Sequence, residues 1–466
     1  MALALCLTSL PAAADAVDDY VRGVMEKQKV PGVSVVIARD GRIEKAQGYG
    51  YANVEHGVAA TDDTIYQSGS IGKQFTAAGI LLLAEDGKLG LDDRLAKHFP
   101  EGPSAWHRIT IRHLLTHTSG LKDYGSDELD YRKDYTEEEL LKMLQALPLE
   151  FEPGTQWSYS NSGYMLLGVL TSRLSGKHWG EFQAERIFGP LGMTTTRVIS
   201  EKEIVKNRAA GYELDEKREL KNQDWVSPAL NTCADGALYF TVKDLAAWEA
   251  GLRGSAFLKP ASREAWWTPV KLASGTTYPY GFGWSIAEQR GQRLIEHGGS
   301  WQGFQTMIAR YVDSGLAVAV LTNLAQADPE TMAHEIAGLV EPKLRLPDAE
   351  ASPKDPDPAR AARLKGVLEA WAESRSPAIL ARGLAETQSG SGREAYQRRS
   401  TGRRLSELQA FRFVGEDDLT ARPLPWRGES VVRIVHYALD TKDARYVYRF
   451  YLTKDGRVAD FGGESR

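Results

Sequence analysis

Apolar residues recur along the first part of the chain with two distinct periods. Val17, Val21, Val24 and Met25 follow helical spacing behind Asp15, which predicts an amphipathic helix over residues 16 to 28. The next two stretches, 33–39 and 42–49, read as strands separated by Asp40-Gly41. Glycine accepts positive φ without cost, so this pair reads as a hairpin. The apolar run 78–84 belongs to a buried helix that stops at Asp86-Gly87. Residues 105 to 250 look mainly helical. Thr136 and Glu139 frame a capping box, 161–174 is a strong helix closed by Gly176, and Thr241 caps another helix through 252. Strand signals return at 281–288, 293–297, 304–311 and 316–323, and a helix follows over 329–340. This order predicts an α/β sandwich: a mainly antiparallel sheet built from both ends of the domain, flanked by helices, with an inserted helical subdomain. A pocket between the sheet and the insert is the natural place for a site.

Pro347, Pro353, Pro356 and Pro358 then crowd a polar stretch, read as a semi-rigid linker over 347–358. Beyond it a helix is expected over 359–373, a Gly/Ser-rich loop over 388–393, and strands over 408–414, 431–439, 445–452 and 457–461. Tyr446, Tyr448, Phe450 and Leu452 alternate with Arg445, Val447, Arg449 and Tyr451, as one covered sheet face requires. The expectation is two domains: residues 17–346, and a small α+β domain over 359–466. No chemistry is legible in the second, so a structural, partner-binding or substrate-gating role is expected there.

Charge and composition narrow the partners. The chain has 466 residues, and 57 Lys and Arg against 62 Asp and Glu give a formal charge of −5. That balance argues against a nucleic-acid partner. No run of 18 apolar residues occurs, so no membrane span is expected. Residues 2–10 are apolar and lead into Pro11-Ala12-Ala13-Ala14-Asp15-Ala16, which offers small-residue cleavage sites. This reads as a signal peptide over residues 1–16, although it lacks a positive n-region, and it implies a periplasmic or secreted protein. Cys6 lies in that segment and leaves Cys233 alone, a small buried residue with no disulfide expected.

Candidate chemistry begins at Ser70-Ile71-Gly72-Lys73, just ahead of the buried helical run. Residues at i and i+3 share a helix face, so the lysine amine can reach the serine hydroxyl. A serine needs a base to attack at neutral pH, and a neutral lysine is one. Lys73 would need its pKa lowered by about three units, roughly 4 kcal/mol, or a second base beside it. Trp157-Ser158-Tyr159-Ser160-Asn161 supplies such a group. Tyr159 and Asn161 stand two apart at the entry to a helix, so in an extended segment they point the same way. Glu296-His297-Gly298-Gly299-Ser300 lies at a strand end, where glycines admit close approach of a substrate backbone. The Ser300 N–H is placed to pair with that of Ser70 as an oxyanion hole, and His297 adds a switchable charge. His113 and His117 have a spacing that can bind zinc. Leu114 follows His113 where a catalytic glutamate would stand, so structural histidines are expected.

Ser70-x-x-Lys73, Tyr159-x-Asn161 and His297-x-Gly299, in this order, resemble the three motifs of the penicillin-recognising serine hydrolases, in the branch of class C β-lactamases and D-alanyl-D-alanine carboxypeptidases. Residues 109–121 and Gly236-Ala237-Leu238-Tyr239 are similar to further stretches of that family, and the resemblance covers roughly residues 17 to 345. It implies Ser70 as the acylated nucleophile, Lys73 and Tyr159 sharing acid and base work, and Asn161 holding the network. It implies no metal or organic cofactor, and a small-molecule or peptide substrate. The third motif departs from the Lys-Thr-Gly of class C β-lactamases. His297 replaces the permanent charge, and Gly298 removes the hydroxyl that helps hold a β-lactam carboxylate. His-Gly-Gly is similar to the D-aminopeptidases and esterases of the family. The expectation is a hydrolase of small esters, peptides or amides, with a D-residue as one option. The alternatives are a cell-wall-peptide or penicillin sensor with little turnover, and a weak β-lactamase or D,D-carboxypeptidase.

Overall fold

A computed structural model describes residues 11–125, 128–133, 135–200, 202–225, 233–254, 257–348, 350, 353–377, 379–382, 384, 392–442 and 444–465. Seven strands form the main sheet in the order Ser285–Gln289, Gln292–Trp301, Phe304–Tyr311, Leu316–Thr322, Gly32–Arg39, Arg42–Asn53 and Val58–Ala59, with antiparallel neighbours throughout. The ends of the domain meet where Val35 lies opposite Val320. Asp40 and Gly41 turn the first hairpin with φ of 50° and 76°, the conformation a tight two-residue connection demands.

Both faces of the sheet are covered, which is why Gly32–Arg39 reads as a continuous apolar run. Val33, Val35 and Ile37 pack with Val17 and Val21 of helix Pro11–Gln28 and with Met332 and Ile336 of helix Pro329–Val340. Val36 faces the opposite core, which includes Leu245 and Trp248 of helix Val242–Arg253 and the helix Gly72–Glu85. That last helix is buried from Gly72 to Leu83 and stops at Gly87, with φ of 72°. The helical insert includes Asn161–Ser175, ended by Gly176 in the left-handed region, and Glu137–Ala146, begun by the Thr136–Glu139 capping box. Among the described residues, no helix is long and apolar enough to cross a membrane.

The C-terminal sheet runs Leu408–Asp418, Glu429–Thr441, Arg445–Thr453, Val458–Ser465, with Leu424–Trp426 also paired to Glu429–Thr441. Tyr448, Phe450 and Leu452 pack against Leu364 and Leu368 of helix Pro358–Ala372 in a core of their own.

Three elements differ from expectation. The first helix starts at Pro11 rather than at residue 16, and residues 1–10 lie outside the described residues. The strand expected from 281 begins at Ser285, because the preceding loop bends onto the buried helix. At Gly283, φ is 73° and a Cβ would stand 2.8 Å from the Lys73 carbonyl. The loop expected over 388–393 falls outside the described residues up to 391, and residue 392 opens an unexpected helix, Gly392–Ser406. Its inward stripe, Gln397, Ser400, Thr401 and Arg404, has helical spacing but is polar, so apolar periodicity gave no signal.

A buried ion pair ties the sheet to helix Val242–Arg253. Arg310 Nε on strand Phe304–Tyr311 donates to Glu249, with side-chain exposures of 5% and 3%. Removing one partner of such a pair strands the other charge. Glu249→Ala is expected to lower stability by about 3–5 kcal/mol in urea unfolding, and Glu249→Leu with Arg310→Met by much less. Equal losses in the two variants would contradict this account of the pair.

Candidate active site

Ser70 is placed by a sharp turn. Strand Tyr66–Gln67 pairs with Leu238–Phe240, and Ser68 Oγ donates to the Gly236 carbonyl at 2.8 Å. The chain then turns at Gly69, with φ of 52°. Ser70 itself lies in a 3-10 turn, Gly69–Ile71, rather than in the helix that follows. Lys73 sits in the first turn of that helix, fully buried. Its Nζ donates to Ser70 Oγ at 3.0 Å, to Asn161 Oδ1 at 2.7 Å and to the Asp235 carbonyl at 2.6 Å. These three acceptors match the three protons of an ammonium. A neutral amine would keep two of them, Asn161 and Asp235, and turn its lone pair to the Ser70 hydroxyl. The same geometry therefore serves both protonation states.

The second motif enters the site through an extended residue, Ser160, with φ of −138° and ψ of 114°. Ser160 Oγ accepts from Gly163 N at 3.3 Å and caps the helix. Tyr159 and Asn161 therefore face the same way. The Tyr159 ring centroid lies 5.0 Å from Lys73 Nζ, and the Tyr159 hydroxyl oxygen is buried. Asp123 orients the Asn161 amide: Asn161 Nδ2 donates to Asp123 Oδ2 at 3.1 Å, which leaves Oδ1 for Lys73. The other Asp123 oxygen accepts from Ser162 N at 3.0 Å. Burial pushes the Asp123 carboxyl up to about 6, against the lowering effects of the Ser162 N–H and of Lys73.

The third motif lies at the end of strand Gln292–Trp301, which packs against the Ser70 turn. A Cβ on Gly299 would stand 2.0 Å from the Ser68 carbonyl, and one on Gly69 would stand 2.5 Å from Ser300 N. Only glycine fits at either place, and the fit brings the Ser300 amide beside the residue preceding Ser70. Gly298 is different: a Cβ there meets nothing closer than the Thr306 carbonyl at 3.6 Å. His297 is buried behind it, with its ring centroid 6.2 Å from that of Tyr159. His297 Nε2 is 2.9 Å from Tyr280 Oη, and its Nδ1 is 2.6 Å from the Gly298 carbonyl. Tyr280 Oη also lies 3.2 Å from His117 Nε2, and His117 Nδ1 accepts from Ser160 N at 3.1 Å. His113 goes elsewhere. Its Nδ1 accepts from Thr110 N in a helix cap, and burial lowers its pKa to about 4. Among the described residues, no group of three or more His, Cys, Asp or Glu side chains is arranged to hold a metal ion.

Seven of the eight candidate residues line one cleft of about 1320 Å³, bounded by both domains, and Lys73 lies buried against Ser70 behind it. Its aromatic wall stacks Trp157 on Tyr278, centroids 3.9 Å apart, with Arg427 of the C-terminal domain 4.5 Å above Tyr278. Arg427 Nε pairs with Asp460 at 3.0 Å, and Gly428 N donates to Thr277 Oγ1 at 3.0 Å, so a C-terminal hairpin closes that side. Carboxylates outnumber Lys and Arg side chains along the lining.

Sequence reading alone misses Asp123, Asp235 and Tyr280. Asp235 acts through its backbone carbonyl, which carries no sequence signature. Asp123 and Tyr280 come from loops far from the motifs they support. The one available signal was position: Asp123 follows residues 109–121, and Asp235 precedes Gly236, both stretches already marked by resemblance.

Residues 17–341 match the family model described as Beta-lactamase. Penicillin-binding protein 4* of Bacillus subtilis (strain 168) is 34% identical over 315 residues, covering 64% of this chain and 69% of that protein. A D-aminopeptidase of Brucella canis is 28% identical over 315 residues, 65% of this chain, and the match spans 58% of its own length. Among solved structures, the octameric penicillin-binding protein homologue from Pyrococcus abyssi superposes with a TM-score of 0.64 at 25% identity, over 97% of this chain and 90% of that one. The sheet, the cleft and these matches agree: the chain belongs to the β-lactamase family and is a serine hydrolase.

Proposed function

We propose that Ser70 is the nucleophile of an acyl-enzyme hydrolase that acts on small esters and on aminoacyl amides or peptides, with D-residues among them. The observation that carries this reading is the buried Lys73 Nζ, bonded to Ser70 Oγ, Asn161 Oδ1 and the Asp235 carbonyl. Lys73, as the neutral amine, takes the Ser70 proton while Oγ bonds to the substrate carbonyl carbon. The carbonyl electron pair moves to oxygen, held by the Ser70 and Ser300 N–H groups. When the tetrahedral adduct collapses, the bond to the leaving group breaks, and the proton passes to it through Lys73 and Tyr159. Water then attacks the acyl carbon, giving its proton to Tyr159 as the phenol passes its own to Lys73; the bond to Ser70 Oγ breaks, Lys73 returns the proton to that oxygen, and the acid is released. Asn161 and Asp123 hold Lys73 in register.

The cleft supports an amine-bearing substrate. Its volume, about 1320 Å³, exceeds the usual 300–1000 Å³ of a small-molecule pocket and suits a short peptide. Its acidic lining suits a free amino group, in line with the relatives named D-aminopeptidase. The relative named penicillin-binding protein 4* favours a second reading, a penicillin binder with little turnover.

A panel of acyl esters, D- and L-aminoacyl amides, D-Ala-D-Ala peptides and a chromogenic cephalosporin separates these readings. Turnover of esters or D-aminoacyl amides, reduced about 10⁴-fold or more in Ser70→Ala, is expected. Unchanged hydrolysis in Ser70→Ala would overturn the proposal, and a lasting penicillin adduct without turnover would favour the binder.

Asp123 gives a pH prediction. Both its oxygens accept hydrogen bonds, so protonation removes the charge that strengthens them and weakens the hold on Asn161. The carboxylate is the competent form, so kcat/KM on an ester should fall as pH drops through about 6. Asp123→Asn should be slower at every pH and lack that limb. A limb that persists unchanged in the variant would assign it elsewhere.

A further inference from the structure

We propose that the Asp235 carboxylate receives the protonated amino group of the substrate, carried on the carbon next to the scissile carbonyl, so that the site selects α-aminoacyl amides and esters over their des-amino counterparts. This inference rests on the hydrolase reading above and names the residue that reads the amine.

The backbone of Asp235 fixes where its side chain stands. Its carbonyl accepts from Lys73 Nζ at 2.6 Å, and the same Nζ donates to Ser70 Oγ at 3.0 Å. A Cβ on the next residue, Gly236, would stand 2.8 Å from the Gly69 carbonyl, so this segment is pressed against the Ser70 turn. Asp235 lines the cleft there together with Ser70, Tyr124 and Asn161.

The side chain is held but not satisfied. Asp235 is 6% exposed, and Tyr124 Oη donates to its Oδ2 at 2.7 Å. Burial and the Asp235 charge push the Tyr124 phenol well up, so it stays a donor. Tyr124 is itself anchored, its backbone N–H donating to Ser162 Oγ at 2.9 Å. Asp235 Oδ1 makes no hydrogen bond among the described residues. It is also not one of the unpaired atoms sealed from solvent, so it opens on the cleft. Asp123 differs in this respect, because both its oxygens are committed to Asn161 and Ser162.

The charge count points the same way. Asp123 and Asp235 act on each other across the site, and Lys73 is a cation that acts on Asp123. Lys122, also in the lining, pairs with Glu128. The other titratable groups that bear on Asp235 are Tyr124, Tyr131 and Cys233, and burial pushes all three up, which keeps them neutral. Two carboxylates therefore face one lysine. When Lys73 is the neutral amine that acylation requires, neither is balanced, and a substrate ammonium supplies a cation at the open oxygen.

Alanine methyl ester, as its faster enantiomer, and methyl propanoate differ only in the amino group. The ratio of their kcat/KM values, read from methanol release, cancels effects on Ser70 that the two share. In the wild type this ratio should fall about tenfold between pH 7 and pH 9, as an α-amino group with a pKa near 8 loses its proton. Asp235→Asn keeps the backbone carbonyl for Lys73. In that variant the ratio at pH 7 should be about 100-fold lower and flat with pH. Tyr124→Phe removes the anchor and should lower the ratio severalfold. A wild-type ratio that stays level from pH 7 to pH 9, or a folded Asp235→Asn that keeps the wild-type ratio and its pH dependence, would overturn the proposal. Hydrolysis of either ester that survives Ser70→Ala would instead sink the underlying hydrolase reading, so the two failures are distinguishable.

Discussion

A lysine amine with no access to water is the constraint around which the catalytic domain is arranged. Burying an ammonium without partners costs several kcal/mol, so Lys73 can sit where it does only if its acceptors converge on it. They come from three separate places: the Ser70 turn, the entry to helix Asn161–Ser175, and the carbonyl of Asp235. The helical insert must therefore dock on the sheet domain at a fixed depth. The same convergence that satisfies the buried amine also sets it against Ser70 Oγ, at 3.0 Å.

The same economy of space explains the glycines. Gly69, Gly236 and Gly299 stand where two backbones touch, and a methyl group at any of them would collide with main-chain atoms. Their role is to bring strand Gln292–Trp301 against the Ser70 turn, with the Ser300 amide set beside Gly69. Gly298 faces open cleft, so its lack of a side chain leaves room for substrate instead of making room for the fold. His297, Tyr280 and His117 then join the third motif to the backbone of the second through a run of hydrogen-bond contacts.

Much of this was legible in the sequence because it depends on local rules. The Asp40-Gly41 turn, the Thr136 and Thr241 caps and the left-handed Gly176 each declare themselves within a few residues. Ser70, Lys73, Tyr159, Asn161, His297 and Gly299 carry motif spacing. What stayed hidden depends on long-range assembly. Asp123 and Tyr280 act on groups brought to them by folding, and Asp235 acts through its main chain. Helix Gly392–Ser406 turns a polar stripe to the cleft, which defeats a search for apolar periodicity. The C-terminal domain showed no chemistry of its own, yet Arg427 and Asp460 close one wall of the cleft.

The central claim is that Ser70 is made nucleophilic by the buried Lys73. The most direct measurement is the rate and position of fluorophosphonate labelling, read by intact mass and peptide mapping, in the wild type and in Lys73→Met. The account predicts a single adduct on the peptide containing Ser70, formed about 10²- to 10⁴-fold more slowly in Lys73→Met. An adduct on another residue, or an unchanged labelling rate in Lys73→Met, would contradict it.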